Sequence, residues 1–157
     1  MKRRLAITVM VVSLALSGCL APRPETVARN WRPDGAGGKS LGQLLAVSPG
    51  LVGATWKSFD GPGGEPVVRL AAEYNPSVAG RGCPAPGTGR RPAARSFLLL
   101  TLSVSPGGAV DFVSATGQAY TEGGAYAAFP LDIGVIAALV ARTPPLPCAA
   151  LNVPGYL

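Results

Sequence analysis

The residues that could do chemistry in this 157-residue chain are few, and histidine is absent. Histidine is the commonest general base and metal ligand, and eight carboxylates leave little material for an acid/base pair or a carboxylate metal cluster. A serine nucleophile would then need a lysine or a carboxylate as its base. Lys57 and Ser58 are neighbours whose side chains would point to opposite sides of a strand. We therefore predict a protein that is not an enzyme and that binds no metal or organic cofactor.

The N-terminus has the layout of a secretory signal. A mostly apolar run, residues 5–16, is too short for a permanent membrane-spanning helix. It follows three cations, Lys2, Arg3 and Arg4. The run ends in Leu16-Ser17-Gly18-Cys19, which resembles the lipobox of bacterial lipoproteins. The resemblance implies that residues 1–18 are a signal peptide and that the thiol of Cys19 becomes the acylated first residue.

This resemblance has consequences for location and charge. Two or more acyl chains give stable anchoring, where one chain would be marginal. Leu20 stands where an aspartate would imply retention in the inner membrane, so the resemblance implies the periplasmic face of the outer membrane. Removal of residues 1–18 takes three cations away and lowers the formal net charge from +6 to +3. Nucleic acid is therefore not an expected partner.

The two remaining cysteines, Cys83 and Cys148, are expected to form a disulfide. An exported chain meets an oxidising compartment, where an even number of thiols favours pairing. Metal ligation and a redox pair are the alternatives. Both are weakened by the absence of histidine and of a C-x-x-C motif.

Proline and glycine divide the chain into a tether and a domain. Residues 19–40 hold three prolines and three glycines, which predicts a flexible tether between the lipid and a single globular domain, residues 41–157. The cations of this segment favour either contact with anionic head groups or, as the preferred interpretation, a solvated linker. These cations are Arg23, Arg29, Arg32 and Lys39.

The pattern of the domain predicts an α+β fold with an antiparallel sheet of about four strands packed against one C-terminal helix. Alternating apolar residues indicate strands over 51–59, 66–74 and a hairpin over 97–116, whose first strand is central. A bulge could extend the hairpin to residue 120. Helical spacing predicts a short helix over 41–47 with Ser40 as its N-cap, and a longer helix over 131–142. The apolar residues 151–157 are expected to dock on the domain.

A long loop, residues 75–95, is the most concentrated positive charge in the domain. It holds no carboxylate and four arginines, Arg81, Arg90, Arg91 and Arg95. We interpret these residues as a candidate site for an acidic partner, with a solvated loop as the alternative. Six aromatic residues could line an apolar pocket between sheet and helix or simply form the core: Trp56, Tyr74, Phe112, Tyr120, Tyr126 and Phe129.

Three functions follow as hypotheses. The first is a membrane-anchored, non-enzymatic envelope lipoprotein that binds another envelope protein as an accessory or structural subunit. The second is a binding domain for a small apolar or anionic ligand, such as a lipid or a glycan. The third is an enzyme with an unusual site built on lysine or carboxylate.

Overall fold

A five-stranded antiparallel sheet forms the centre of the computed structural model, which describes residues 22–85 and 87–154. Its spatial order is β1-β2-β4-β5-β6. These strands are β1 Leu51–Asp60, β2 Pro66–Tyr74, β4 Arg95–Val104, β5 Val110–Tyr120 and β6 Tyr126–Leu131. A small second sheet pairs β3 Arg90–Pro92 with β7 Asn152–Pro154.

The helices are short and complete the mixed architecture. They are α1 Pro24–Asn30, α2 Leu41–Ala46, α3 Pro76–Ala79, α4 Gly134–Val140 and a 3-10 helix, Cys148–Leu151. The predicted α+β class is confirmed, with five strands in the main sheet. No helix within residues 22–85 and 87–154 has the length and apolar character needed to cross a membrane.

One face of the sheet carries the hydrophobic core. The predicted alternation of β2 is confirmed, since Val68, Leu70, Ala72 and Tyr74 are buried. The central position of β4 is also confirmed, and Leu98, Leu100 and Leu102 are fully buried. Residues from α1, α2, α4 and the 3-10 helix belong to the same core cluster. None of the helices of this core cluster covers the opposite face of the sheet.

The predicted hairpin is confirmed and extends beyond a bulge. Ser105 N–H donates to the carbonyl of Ala109, and Gly108 has a positive φ of 82° that suits a residue without a Cβ. The register shifts opposite Thr101 and Leu102, which leaves Val113 as the extra residue of β5. The strand then continues to Tyr120.

The predicted helix over 41–47 is confirmed as α2. The Ser40 hydroxyl accepts from the backbone N–H of Gln43, and the Gln43 side chain accepts from the Ser40 N–H. This capping box satisfies two donors that a helix start leaves open.

The predicted tether is wrong for the described part of residues 19–40. Pro24 occupies the first turn of α1, where its missing N–H costs nothing. Val27, Ala28 and Trp31 then form an apolar stripe against the core, and Ala28 is fully buried. The domain therefore includes residue 24 and does not begin at 41. Residues 1–18, Cys19 and Leu20 lie outside the described residues.

The predicted helix over 131–142 is also corrected. Pro130 and Leu131 belong to β6, and α4 begins only at Gly134. Proline is tolerated there because β6 is an edge strand and an N–H at its free edge has no ladder partner. The fifth strand, β6, was not predicted, because Pro130 is typical of a helix start.

The predicted loop over 75–95 contains regular structure. Its first part forms α3, Arg90 and Arg91 lie in β3, and Arg95 begins β4. The predicted disulfide is confirmed: the sulfur atoms of Cys83 and Cys148 are 2.03 Å apart, and their Cα atoms are 5.5 Å apart. The expected docking of the C-terminal segment is confirmed for 152–154, which pair with β3, and lies outside the described residues for 155–157.

Candidate partner-binding site

The strands give the molecule two ends. The β1–β2 turn and the β4–β5 turn lie at the same end, because Val67 pairs with Ser103 next to both turns. Pro22, the first described residue, lines a shallow cleft there together with Gly108 and Val110. We call this the anchor end, defined by residues 22, 61–65 and 105–109.

The other end, the distal end, collects the four predicted arginines. It is formed by the C-terminus of β2, the start of β4, the β5–β6 turn and the β3–β7 pair. The ten residues of β4 place it about 30 Å from the anchor end, at about 3.3 Å per residue. The topology therefore brings the four arginines to one end, in the turn after α3, in β3 and at the start of β4.

The arginines differ in their surroundings. Arg95 donates from Nε and Nη2 to the Glu73 carboxylate at 2.7 and 3.0 Å. This hydrogen bonding lowers the pKa of Glu73 and raises the pKa of Arg95. Arg90 and Arg91 are exposed on β3, and Arg91 lines the same groove as Glu122. Arg81 is exposed in the turn after α3. Arg95 is therefore paired with an acid from β2, and the interpretation of the four arginines as a site for an acidic partner stays a prediction.

An aromatic cluster stands beside Arg95 on the uncovered face of the sheet. The rings of Phe97 and Tyr120 meet edge to face at 5.5 Å, and those of Tyr120 and Tyr126 stack at 5.4 Å. The Arg95 guanidinium lies 4.9 Å from the centroid of Phe97. We call Glu73, Arg95, Phe97, Tyr120 and Tyr126 the distal cluster.

The distal cluster is held in place by the strand register. Phe97 pairs with Gln118, whose side chain accepts a 3.0 Å hydrogen bond from the Tyr120 hydroxyl. Tyr120 pairs directly with Tyr126 across the β5–β6 turn. Tyr126 is 55% exposed, whereas Phe97 and Tyr120 are half-buried. The cluster is thus an ordered patch with one prominent ring.

The predicted pocket of six aromatic residues does not form. Tyr74, Phe112 and Phe129 belong to the covered face, while Tyr120 and Tyr126 lie on the other face. The Tyr74 hydroxyl donates to Ser48 Oγ at 3.1 Å, and burial raises the pKa of Tyr74 to about 12. Trp56 also lies on the covered face, on the edge strand β1 and near Arg29. Phe97 and Glu73 could not be recognised as site residues from the sequence, because only the strand register brings them to Tyr120 and Arg95.

The catalytic candidates do not assemble into a dyad with Lys57. The Ser58 hydroxyl and backbone N–H both donate to Oε1 of Glu25 on α1. The hydrogen bond from the Ser58 side chain lowers the pKa of Glu25, which makes this carboxylate a weaker base. Within the described part of the chain, no group of acidic or cysteine side chains is arranged to hold a metal ion.

Comparison of the chain with protein families, curated protein sequences and solved structures finds no match.

Proposed function

We propose that this protein is a lipid-anchored envelope protein without enzymatic activity, which binds another envelope protein as an accessory or structural subunit. The observation that carries the proposal is the distal cluster, an ordered aromatic and arginine patch at the end of the domain opposite to Pro22. The lipobox resemblance at Cys19 supports the anchor and the periplasmic face of the outer membrane. In this proposal, the attachment point and the contact patch lie at opposite ends of the same domain.

The composition of the distal cluster suits a protein interface. Tyrosine and arginine are enriched among residues that dominate binding energy, because they combine large apolar area with directed hydrogen bonds. The bidentate contact to Glu73 fixes Arg95, so less side-chain freedom is lost when a partner binds. Half-buried Leu99 and Ala71 continue the apolar surface along the same sheet face.

The anchor geometry supports the same function. Only two residues stand between Cys19 and Pro22, and a fully extended chain advances at most about 11 Å over these three steps. The anchor end must therefore stay close to the membrane once Cys19 is acylated. The distal cluster remains accessible to a partner on the other end of the sheet.

The test is site-specific photo-crosslinking of the acylated protein in its own cells. A photoreactive side chain replaces Tyr126 in one variant and Val113 in the control, since both positions are 55% exposed. Val113 lies on the β5 bulge, away from the distal cluster. We expect one envelope protein to be captured from position 126 and not from position 113.

Two further variants sharpen this test. Phe97→Ala combined with Arg95→Gln should reduce the yield of the captured protein without changing the amount of acylated protein. Arg90→Glu combined with Arg91→Glu tests whether β3 belongs to the same interface. Equal capture from positions 113 and 126, or no protein captured from either, would contradict the proposed interface.

A further inference from the structure

A groove runs between α1, α2 and the exposed edge strand β1. Its volume is about 530 Å³, and Arg29, Arg32, Trp56, Leu45 and Leu51 are among its lining residues. Two cations and no carboxylate line the groove. It therefore combines positive charge with an aromatic ring and aliphatic walls, which is a suitable environment for an anion attached to an apolar body.

Arg29 is held in the groove by its packing. A Cβ atom at Gly42 would lie 2.7 Å from Cγ of Arg29, so the absence of a side chain at Gly42 makes room for the arginine stem. The guanidinium lies 5.5 Å from the ring centroid of Trp56. This cation–π contact places the charge over the ring without using its hydrogen-bond donors.

The guanidinium of Arg29 has no carboxylate partner within residues 22–85 and 87–154. The salt bridge found there joins Arg95 to Glu73 at the distal end. Glu25 stands one helical turn before Arg29 and lines an adjoining cleft, but its carboxylate accepts from Ser58. The donors of Arg29 are therefore available to an external acceptor.

The end of the groove that holds Arg29 and Trp56 is nearer to the proposed anchor, whereas Leu51 at its other end pairs with Tyr74 at the distal end. Arg23, Arg29 and Trp56 line the adjoining cleft, which continues toward the N-terminus of α1. Arg29 is five residues after Pro24, a rise of about 8 Å along the helix axis. With at most about 11 Å between Cys19 and Pro22, the Arg29 end of the groove is within reach of the membrane surface.

We propose that this groove binds the phosphate of an acidic phospholipid head group in the membrane that holds Cys19. Arginine offers paired N–H donors that match phosphate oxygens, and tryptophan favours the boundary between head groups and acyl chains. This site rests on the proposed lipid anchor. It adds to that function a preference for acidic phospholipids and a defined orientation of the domain on the membrane.

The test uses the acylated full-length protein, whose N-terminal lipid is first verified by mass spectrometry. Trp31→Phe leaves Trp56 as the fluorescent reporter in residues 19–157. The protein is reconstituted into vesicles of phosphatidylcholine alone or with increasing phosphatidylglycerol. We expect the emission of Trp56 to change with phosphatidylglycerol and not with phosphatidylcholine.

Matched variants identify the residues responsible. Arg29→Gln with Arg32→Gln should weaken the apparent phosphatidylglycerol affinity about 30-fold, at about fivefold for each cation near an anionic surface. Arg69→Gln with Arg142→Gln removes the same charge elsewhere and should leave the affinity unchanged. Gly42→Ala keeps every charge but displaces the stem of Arg29, so it should also weaken binding. Equal weakening by both double variants would indicate general surface attraction and overturn the site.

A soluble phosphate compound tests whether the groove binds a membrane lipid or a free phosphate compound. Glycerol phosphate is added to protein in phosphatidylcholine vesicles. No emission change supports a membrane lipid as the ligand. The same change as with phosphatidylglycerol would overturn the head-group assignment in favour of a free phosphate compound. Failure of the anchor itself would appear independently, as a missing acyl mass, and failure of the protein partner would appear in the crosslinking experiment.

Discussion

At the scale of single residues, Arg142 adopts the left-handed backbone conformation, which residues other than glycine rarely adopt. Its φ is 56°, and it follows the last turn of α4. The Thr143 N–H donates to the Ala138 carbonyl at 3.0 Å, and the Arg142 N–H donates to the Leu139 carbonyl at 3.2 Å. These bonds form the Schellman ending of a helix, which usually has glycine at this position.

We therefore predict that Arg142→Gly raises the free energy of unfolding by about 1 kcal/mol, because it removes the left-handed strain. The measurement is urea denaturation followed by circular dichroism. Arg142→Ala is the matched control, since it removes the same charge but keeps a Cβ. An equal gain from both variants would assign the effect to charge and contradict the prediction.

Two carboxylates make stability sensitive to acid. The Arg95 hydrogen bond lowers the pKa of Glu73, and the Ser58 hydrogen bond lowers the pKa of Glu25, from a usual value of 4.5. A group with a lowered folded-state pKa stabilises the protein above its unfolded-state pKa, and this contribution is lost as pH falls through the folded-state pKa. The free energy of unfolding should thus decrease as pH drops below 4.5.

The prediction is a shallower acid dependence in Glu73→Gln than in the parent protein, measured by urea denaturation over a series of pH values. Glu25→Gln should independently reduce the pH dependence of the free energy of unfolding over the same pH range, because Glu25 and Glu73 have different hydrogen-bond partners. An unchanged pH slope in Glu73→Gln would show that the Arg95 contact does not persist in solution.

At the scale of elements, the sequence predicts the helices and strands that bury one face through a regular spacing of apolar residues. The alternation of β2 and β4 is visible because their covered faces meet the core along their whole length. Helix α2 is predictable from the helical spacing of its apolar residues and from Ser40 as its N-cap. The disulfide is predictable because two cysteines remain after Cys19 is assigned to the lipobox.

Other elements depend on contacts that a linear pattern does not show. The prolines and glycines before residue 40 indicate a linker, yet Pro24 starts α1, whose apolar stripe is only seven residues long. The edge strand β6 carries Pro130, and β3 and β7 pair over only three residues each. The distal cluster could not be predicted because its geometry requires the register of β4, β5 and β6.

The packing of α1 leads to a direct prediction. Ala28 is fully buried, whereas Thr26 is exposed on the same helix. Ala28→Asp should lower the free energy of unfolding by about 3 kcal/mol or more, because a charge is placed in the core without a partner. Thr26→Asp is the control and should have little effect, since an acidic residue suits the first turn.

Thermal denaturation measures both variants, and limited trypsin digestion gives a second readout. The peptide bond after Arg29 should resist trypsin in the parent protein and in Thr26→Asp, and should become sensitive to trypsin in Ala28→Asp. Rapid cleavage after Arg29 in the parent protein would mean that the segment behaves as a flexible tether after all.

At the scale of the whole molecule, the disulfide joins the two parts of the chain that flank the sheet at its distal end. Cys83 follows α3, and Cys148 begins the 3-10 helix that leads into β7. The bond spans 65 residues of sequence. It therefore restricts the segment of the unfolded chain that holds β4, β5 and β6, three of the five strands of the main sheet.

Replacement of both cysteines by alanine should lower the free energy of unfolding by about 4 kcal/mol, which is the chain-entropy value for a loop of this length. Urea denaturation with and without reductant measures the effect, and the double variant should be insensitive to reductant. A reductant response in the double variant, or a loss far below 1 kcal/mol, would contradict this role of the bond.

If the chain is exported as proposed, the position of this disulfide also sets an order of events during export. If the chain crosses the membrane from its N-terminus, Cys83 arrives well before Cys148, and no intramolecular bond can close until the last segment has emerged. If Cys19 is converted to a thioether as proposed, only one pairing of thiols exists, so the oxidised chain needs no reshuffling. A chain that stops short of Cys148 would keep a free thiol at Cys83. Oxidation thereby distinguishes complete chains from truncated ones.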